Sequence, residues 1–311
     1  WGPLERYELD ANGNKTNISL ENFNTTQNYY HKPQITLRDF WTVNEKLYIS
    51  NIAYLSIGSG GGTGLYDNLN KVSDFDENGQ SDLQKIYDAN TGYSFVPTQF
   101  VLNDPTIIIS PYTSDQEHGA TNFIKSSINK HFWYGFLSTA TFRQSEKYTY
   151  SGGLDYRNYK GEHYQEVYDL LGADYAINSD DPNSDAAVKR VGDKIFKHNI
   201  GLVQWGGMFG QMEYKTALWS GFINISGAVS GFKKIDYFLP KIISGTGKTV
   251  GYGFDGVEPI PDSTIVDGIL YTPDSDGLEF QESEWKTIGG FTVKGGANYN
   301  LTERMNAFIN L

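Results

Sequence analysis

An all-β chain, folded as a membrane-spanning antiparallel barrel, is expected here from three features of the sequence. The first is a short turn that occurs three times. Asn44-Glu45-Lys46, Ser145-Glu146-Lys147 and Thr302-Glu303-Arg304 share the order small polar residue, Glu, base. Each copy joins two aromatic-rich segments whose side-chain character alternates with a period of two. The second is the long, uneven distance between copies, which leaves room for acidic loops near 58–130, 159–194 and 239–284. Tight turns at one end of the strands and large loops at the other are the pattern of outer-membrane barrels. The third is composition: 22 Tyr, 18 Phe and 34 Gly in 311 residues suit strands and open loops better than helices.

Composition also removes several function classes. The chain has no Cys, hence no disulfide framework, no thiolate metal site and no cysteine nucleophile. No apolar run approaches the ~20 residues that a membrane helix needs. A mean hydropathy of −0.46 would fit a soluble protein, but a barrel strand crosses with only ~9–11 residues, half of them polar. There is no initiator Met and no signal peptide before Trp1, so a processed or partly covered polypeptide is expected. The net charge is −12, and the three loops carry −16 of it, which leaves +4 for strands and turns. Nucleic-acid binding is disfavoured, because no basic face is visible. Acidic loops suit a face that attracts cations or bridges anionic lipid head groups through them. Simple solubility of those loops is the plainer reading.

Along the chain, residues 1–34 are polar and Asn-rich and read as a loop. A strand at 35–41 leads into the turn at Asn44, and another follows at 47–57. The run Gly58-Ser59-Gly60-Gly61-Gly62-Thr63-Gly64 is expected to end that strand. Within the loop that follows, 82–89 reads as a short helix with Ser81 as N-cap. Strands at 131–143 and 148–159 flank the turn at Ser145. The second has the cleanest alternation: Tyr148, Tyr150, Gly152, Leu154 and Tyr156 share one face, and Thr149, Ser151, Gly153, Asp155 and Arg157 the other. A soluble sheet with one wet face would alternate in the same way. Strands at 195–205 and 214–238 are expected to be joined by a Gly/Met-rich turn, 206–213. A strand at 285–299, the turn at Thr302 and a short strand at 306–311 complete roughly eight strands. The last is only half the spanning length. A sheet edge in hydrocarbon leaves backbone groups unpaired, each costing several kcal/mol. These strands are therefore expected to form the middle of a longer barrel.

Several stretches resemble one family. They are Tyr29-Tyr30-His31-Lys32-Pro33-Gln34, the glycine run after Ala53-Tyr54-Leu55-Ser56, and Asp155-Tyr156-Arg157-Asn158-Tyr159-Lys160-Gly161-Glu162-His163-Tyr164. Asp169-Leu170-Leu171-Gly172, Leu202-Val203-Gln204-Trp205-Gly206-Gly207 and Val293-Lys294-Gly295-Gly296-Ala297-Asn298-Tyr299-Asn300 add to them. Their order and spacing over 1–311 are similar to the barrel of TonB-dependent outer-membrane receptors of the starch-uptake-like group. The resemblance implies a 22-stranded barrel, with a plug domain and a TonB box that this chain does not contain. It further implies TonB-coupled import of a small-molecule or oligomeric nutrient (glycan, metal chelate, peptide or vitamin), no enzyme activity and no cofactor. Contact with outer-membrane lipid and a surface lipoprotein lid belong to the same expectation.

Other motifs have plainer readings beside the functional ones. Gly245-Thr246-Gly247-Lys248-Thr249 lacks the first Gly of a phosphate-binding loop, since position 242 is Ile. Asp74, Asp76, Asn78 and Asp82 match the alternating oxygen ligands of a calcium loop, but its twelfth position is Lys85 where a bidentate Glu belongs. The alternative is a polar turn into the short helix. His31, His118, His131, His163 and His198 are scattered, with no HExxH, and a structural hydrogen bond is the expected role of His163. No G-x-S-x-G elbow is present. Trp133, Trp205, Trp219 and Trp285 are expected in a lipid-interface girdle. The rival readings are a soluble all-β carbohydrate-binding module and a glycosidase.

Overall fold

The computed structural model describes residues 2–67, 79–92, 117–302 and 304–311. The chain starts with a hairpin, β1 (Gly2–Leu9) and β2 (Lys15–Phe23), then β3 (Asn28–His31), β4 (Gln34–Thr42) and β5 (Leu47–Leu65). Helix α1 (Leu83–Asn90) precedes β6 (Ile124–Arg143) and β7 (Tyr148–Asp169). A small pair, β8 (Ala176–Ile177) and β9 (Val188–Lys189), leads to β10 (Lys194–Lys215) and β11 (Trp219–Asp236). The third loop holds β12 (Lys241–Ile243), β13 (Thr249–Val250), β14 (Tyr252–Asp255) and β15 (Glu258–Pro261). It continues through β16 (Thr264–Val266), β17 (Ile269–Tyr271), β18 (Leu278–Glu279) and β19 (Gln281–Glu282). β20 (Lys286–Thr302) and β21 (Met305–Asn310) close the chain. None of the described helices is long and apolar enough to cross a membrane.

One large antiparallel sheet dominates, in the order β21-β20-β11-β10-β7-β6-β5 and then β3 and β4. β3 and β4 both pair with β5 and form one course, broken at Lys32-Pro33. Among the described residues, neither β4 nor β21 has a partner on its second side. The repeated box explains the tight turns. Its first residue accepts hydrogen bonds from the backbone it encloses: Asn44 Oδ1 from the Lys46 and Leu47 amides, both at 2.9 Å, and Ser145 Oγ from Lys147 and Tyr148, both at 3.3 Å. Short polar side chains favour turns for this reason. Thr216 and Thr302 do the same for Trp219 (2.9 Å) and Arg304 (3.2 Å), whereas Glu303 lies outside the described residues.

Four expectations are corrected. The stretch 206–213 is not a turn: β10 runs through it, paired with β7 on one side and β11 on the other, and the turn is at 216–218. A ladder on both sides offsets the ~0.5–1 kcal/mol that a glycine costs in a strand. The glycine run does not end β5 either. Its glycines pair with β3 and β6, and they leave room for rings. A Cβ at Gly58 or Gly60 would overlap the His131 or Tyr30 ring, and one at Gly61 would lie 2.8 Å from Ile128 Cδ1. Residues 1–34 are not a loop but supply β1, β2 and β3. The N-cap of α1 is Asp82, whose Oδ1 accepts from the Lys85 amide at 3.1 Å, and not Ser81. Strands also reach further into the acidic stretches than expected, to Leu65 in β5 and Asp169 in β7.

Register sorts the sheet into two faces. On one, Ile35 and Leu37 (β4), Phe132 and Phe136 (β6), Leu154 and Tyr156 (β7), Met208 (β10), Ile225 and Val229 (β11) and Phe291 and Val293 (β20) are all exposed. The other carries Thr149, Ser151, Asp155, Arg157, Gln211, Glu213, Asn224, Thr292 and Lys294. Tyr148 with Tyr214 and Trp219 with Tyr299 line the apolar face beside the tight turns.

The buried core lies away from the tight turns, where the β1–β2 hairpin, α1 and the far ends of β6, β7 and β10 supply most of its residues. Leu4, Tyr7, Phe23, Leu83, Tyr87, Ile124 and Leu171 form one cluster, and Phe123, Val167, Leu170, Ala176 and Ile195 another. Leu83, Tyr87 and Asn90 are the buried residues of α1, spaced to fall on one helix face. Arg6 holds the hairpin down through Asp169 (Nη2–Oδ2 2.7 Å) and Glu21. Burial pulls its pKa down, yet these two carboxylates outweigh burial and raise it. Burial pushes the Tyr7 phenol up, and Asp88, which accepts its hydroxyl proton, adds to that.

Candidate functional site: an aromatic and guanidinium tract on the polar face

The polar face carries an aromatic tract from β3 to β10. Lys32 Nζ lies 5.5 Å from the Trp133 ring centre, and Tyr54 meets Trp133 edge-on at 5.3 Å. The Tyr54 ring lies over Gly135, where an added Cβ would sit 2.7 Å from the Tyr156 carbonyl oxygen. Arg157 donates from Nη2 to Asp155 Oδ2 at 2.6 Å, and its Cζ lies 4.8 Å from the Trp205 ring centre. Trp205 in turn lies over Gly207, where a Cβ would come within 2.6 Å of Cη2. Aromatic rings over glycines, with cations at 4–6 Å, form a flat, partly charged platform.

Beside the platform is an open groove of about 550 Å³. Leu137, Asp155, Trp205, Phe209, Ser230 and Ile288 contribute to its lining. Above it, Tyr30 Oη and His131 Nδ1 stand 3.5 Å apart, and Tyr159 is 6.1 Å from the His131 ring. His131 Nε2 is buried and has no hydrogen-bond partner among the described residues. The chemistry on offer is stacking and hydroxyl or charge recognition. No group of three or more metal-binding side chains occurs among the described residues.

The sequence-derived candidates fare unequally. Asp74, Asp76 and Asn78 lie outside the described residues, while Asp82 caps α1. Gly245 to Lys248 lie in the turn between β12 and β13, and Thr249 starts β13, with Lys248 Nζ donating to the Ile265 carbonyl at 3.1 Å. Among the described residues no helix follows to present amides to a phosphate. His163 Nδ1 is 2.6 Å from Asn129 Oδ1, a structural contact as expected. His198 bonds Glu162 at 2.8 Å and stacks on Tyr237 at 4.3 Å. The five histidines are not brought together. Of the four tryptophans expected in the girdle, Trp219 stands on the apolar face and Trp285 packs over its Gly231. Trp133 and Trp205 belong to the polar face instead. Sequence reading passed over Tyr54 and the Arg157–Trp205 stack. The parity of each strand, counted from its apolar neighbours, carried the signal.

Two solved structures are similar to this chain, the closed and open forms of the ferric-catecholate import receptor Fiu from E. coli K12. The closed form is 15% identical with a TM-score of 0.44, and the match covers 92% of this chain and 33% of that one. The open form is 15% identical with a TM-score of 0.40, covering 92% and 36%. The chain thus spans about a third of the length of these receptors. No protein-family profile and no curated protein sequence matches the chain.

Proposed function

We propose that this chain is part of an outer-membrane receptor barrel that takes up a nutrient by TonB-coupled import. The observation that supports it best is the apolar face. Leu37 is 70% exposed, Met208 65% and Phe291 84%, on strands that are all hydrogen-bonded into one sheet. A soluble protein seldom leaves a contiguous apolar patch beyond a few hundred Å² in water. Hydrocarbon is the solvent in which such a face is stable, with aromatic side chains at its border. The free sides of β4 and β21 support a barrel longer than this sheet, since unpaired edges are not tolerated in lipid. On this reading the polar face lines the lumen and the platform of Trp133, Arg157 and Trp205 contacts what passes. A plug and TonB box would come from elsewhere in the full protein. The starch-uptake-like group, loops that face the exterior and a lipoprotein lid stay within this proposal.

A carbohydrate-binding module or glycosidase would need that apolar face covered by its own core. The test uses the full-length protein in Gram-negative cells. It should fractionate with the outer membrane and migrate differently on gels before and after boiling. Full-length protein in the soluble fraction would refute the proposal.

A further inference from the structure

The apolar face contains a groove of about 780 Å³. Phe136, Leu154, Tyr156, Met208, Val229 and Phe291 form its walls, and Gly206, Gly227 and Gly289 its floor. The glycines fall where register would otherwise fill the gap: Tyr156, Gly206, Val229 and Gly289 lie in one cross-strand row, and Leu154, Met208, Gly227 and Phe291 in the next. Along the same strands, away from the tight turns, the chemistry changes in order. The next row holds Asn158, Gln204 and Gly231, and the one after it Lys160, Leu202 and Lys233. Lys160 and Lys233 are two strands apart, about 10 Å, and stand about 13 Å above Tyr156 and Val229. Lys160 is exposed and forms no ion pair among the described residues. Lys233 is bound to Glu282 at 2.6 Å. Glu162, one row further up, is engaged by His198 at 2.8 Å and Lys194 at 3.8 Å. Trp285 covers Gly231, with its Cε3 3.2 Å from where a Cβ would be.

We infer that this column seats one lipid of net anionic head group, with an acyl chain in the glycine-floored groove and its phosphate at Lys160 and Lys233. The order apolar, amide, ammonium follows that of an acyl chain, its ester region and its phosphate, and an indole at head-group level suits the interface. Groove and lysines are continuous with the lipid-facing band, which points to a lipid and not to free phosphate. This inference rests on the membrane reading above.

The test uses full-length protein purified in non-ionic detergent and native mass spectrometry. Phosphatidylglycerol and phosphatidylcholine with identical acyl chains are the probes, and inorganic phosphate is the competitor. Phosphatidylglycerol should be retained in preference. Lys160→Gln should weaken it about five-fold, the equivalent of ~1 kcal/mol per cation at an anionic surface, and weaken phosphatidylcholine less, because choline already offsets the charge of its phosphate. Gly206→Leu fills the floor where nothing lies within 4 Å of a Cβ, and should weaken both lipids. Equal retention of the two lipids, an indifferent Lys160→Gln, or displacement by inorganic phosphate would overturn the seat. If any of these occurs in protein that still fractionates with the outer membrane, only the seat fails. Protein recovered as soluble would remove both readings.

Discussion

Replacing Asn90 by alanine is expected to release α1 from the loop layer and leave the large sheet intact. Asn90 is fully buried at the end of α1. Its Nδ2 donates to the carbonyls of Asn122 (2.9 Å), Leu170 (2.9 Å) and Leu171 (3.1 Å). Its Oδ1 accepts from the Thr121 amide and hydroxyl, both at 2.8 Å. One side chain thus ties the helix to the loops before β6 and after β7. Alanine leaves these partners facing a void. If only two of them find no substitute, at ~1–3 kcal/mol for each unsatisfied buried group, the loss is roughly 2–6 kcal/mol. Hydrogen exchange measures this locally, because an element opens with its own free energy. Amides of α1 should exchange about 30-fold faster or more, while those of β6 and β7 at the tight-turn end keep their protection. Asn90→Asp separates hydrogen bonding from the void, since it keeps the shape but sets a carboxylate against three carbonyls. It should be at least as damaging. If α1 amides in either variant exchange within a few-fold of wild type, the assigned role of Asn90 is wrong.

Two further outcomes follow from close contacts. Gly135→Ala would place a Cβ 2.7 Å from the Tyr156 carbonyl oxygen and 2.5 Å from Tyr54 Cζ, and backbone cannot swing aside as a side chain can. A cost of ~1–3 kcal/mol is expected, read as a lower midpoint of thermal unfolding; an unchanged midpoint would contradict the packing described. In the third loop, the Tyr252 hydroxyl donates to Asp274 at 2.6 Å, and this bond, with some burial, pushes the phenol up to about 12. An unfolded tyrosine ionises near 10. The folded state therefore favours the protonated phenol, so the tie is intact below about pH 10 and is lost as pH rises through about 12. Subtracting the phenolate absorbance titration of Tyr252→Phe from that of wild type should isolate one group with its midpoint near 12, and a midpoint near 10 would refute the tie.

What was legible in the sequence was local. The box turns were readable because Asn44 and Ser145 close their own backbone. The faces of 148–157 were readable because alternation needs no knowledge of neighbours. The glycine run was misread because its reason is distant: the rings it accommodates sit on Tyr30 and His131, in other strands. The stretch 206–213 failed for a related reason, since glycine signals a turn only when no ladder holds both sides. The hairpin of β1 and β2 was hidden because Leu4 and Tyr7 pack on α1 and Leu171, and no periodicity within 1–34 announces such a core. Trp133 and Trp205 were placed by type when their parity within the strand decides their side.

The self-closing turns bear on how the sheet keeps its two faces apart. Each hairpin takes its reading frame from one short acceptor side chain, and a strand has only two phases. Were the acceptor at Ser145 displaced by a single position, every partner along β7 would invert. Arg157 would then join the apolar face and Leu154 the polar one, so the identity of each face is written in the least conspicuous residues of the molecule.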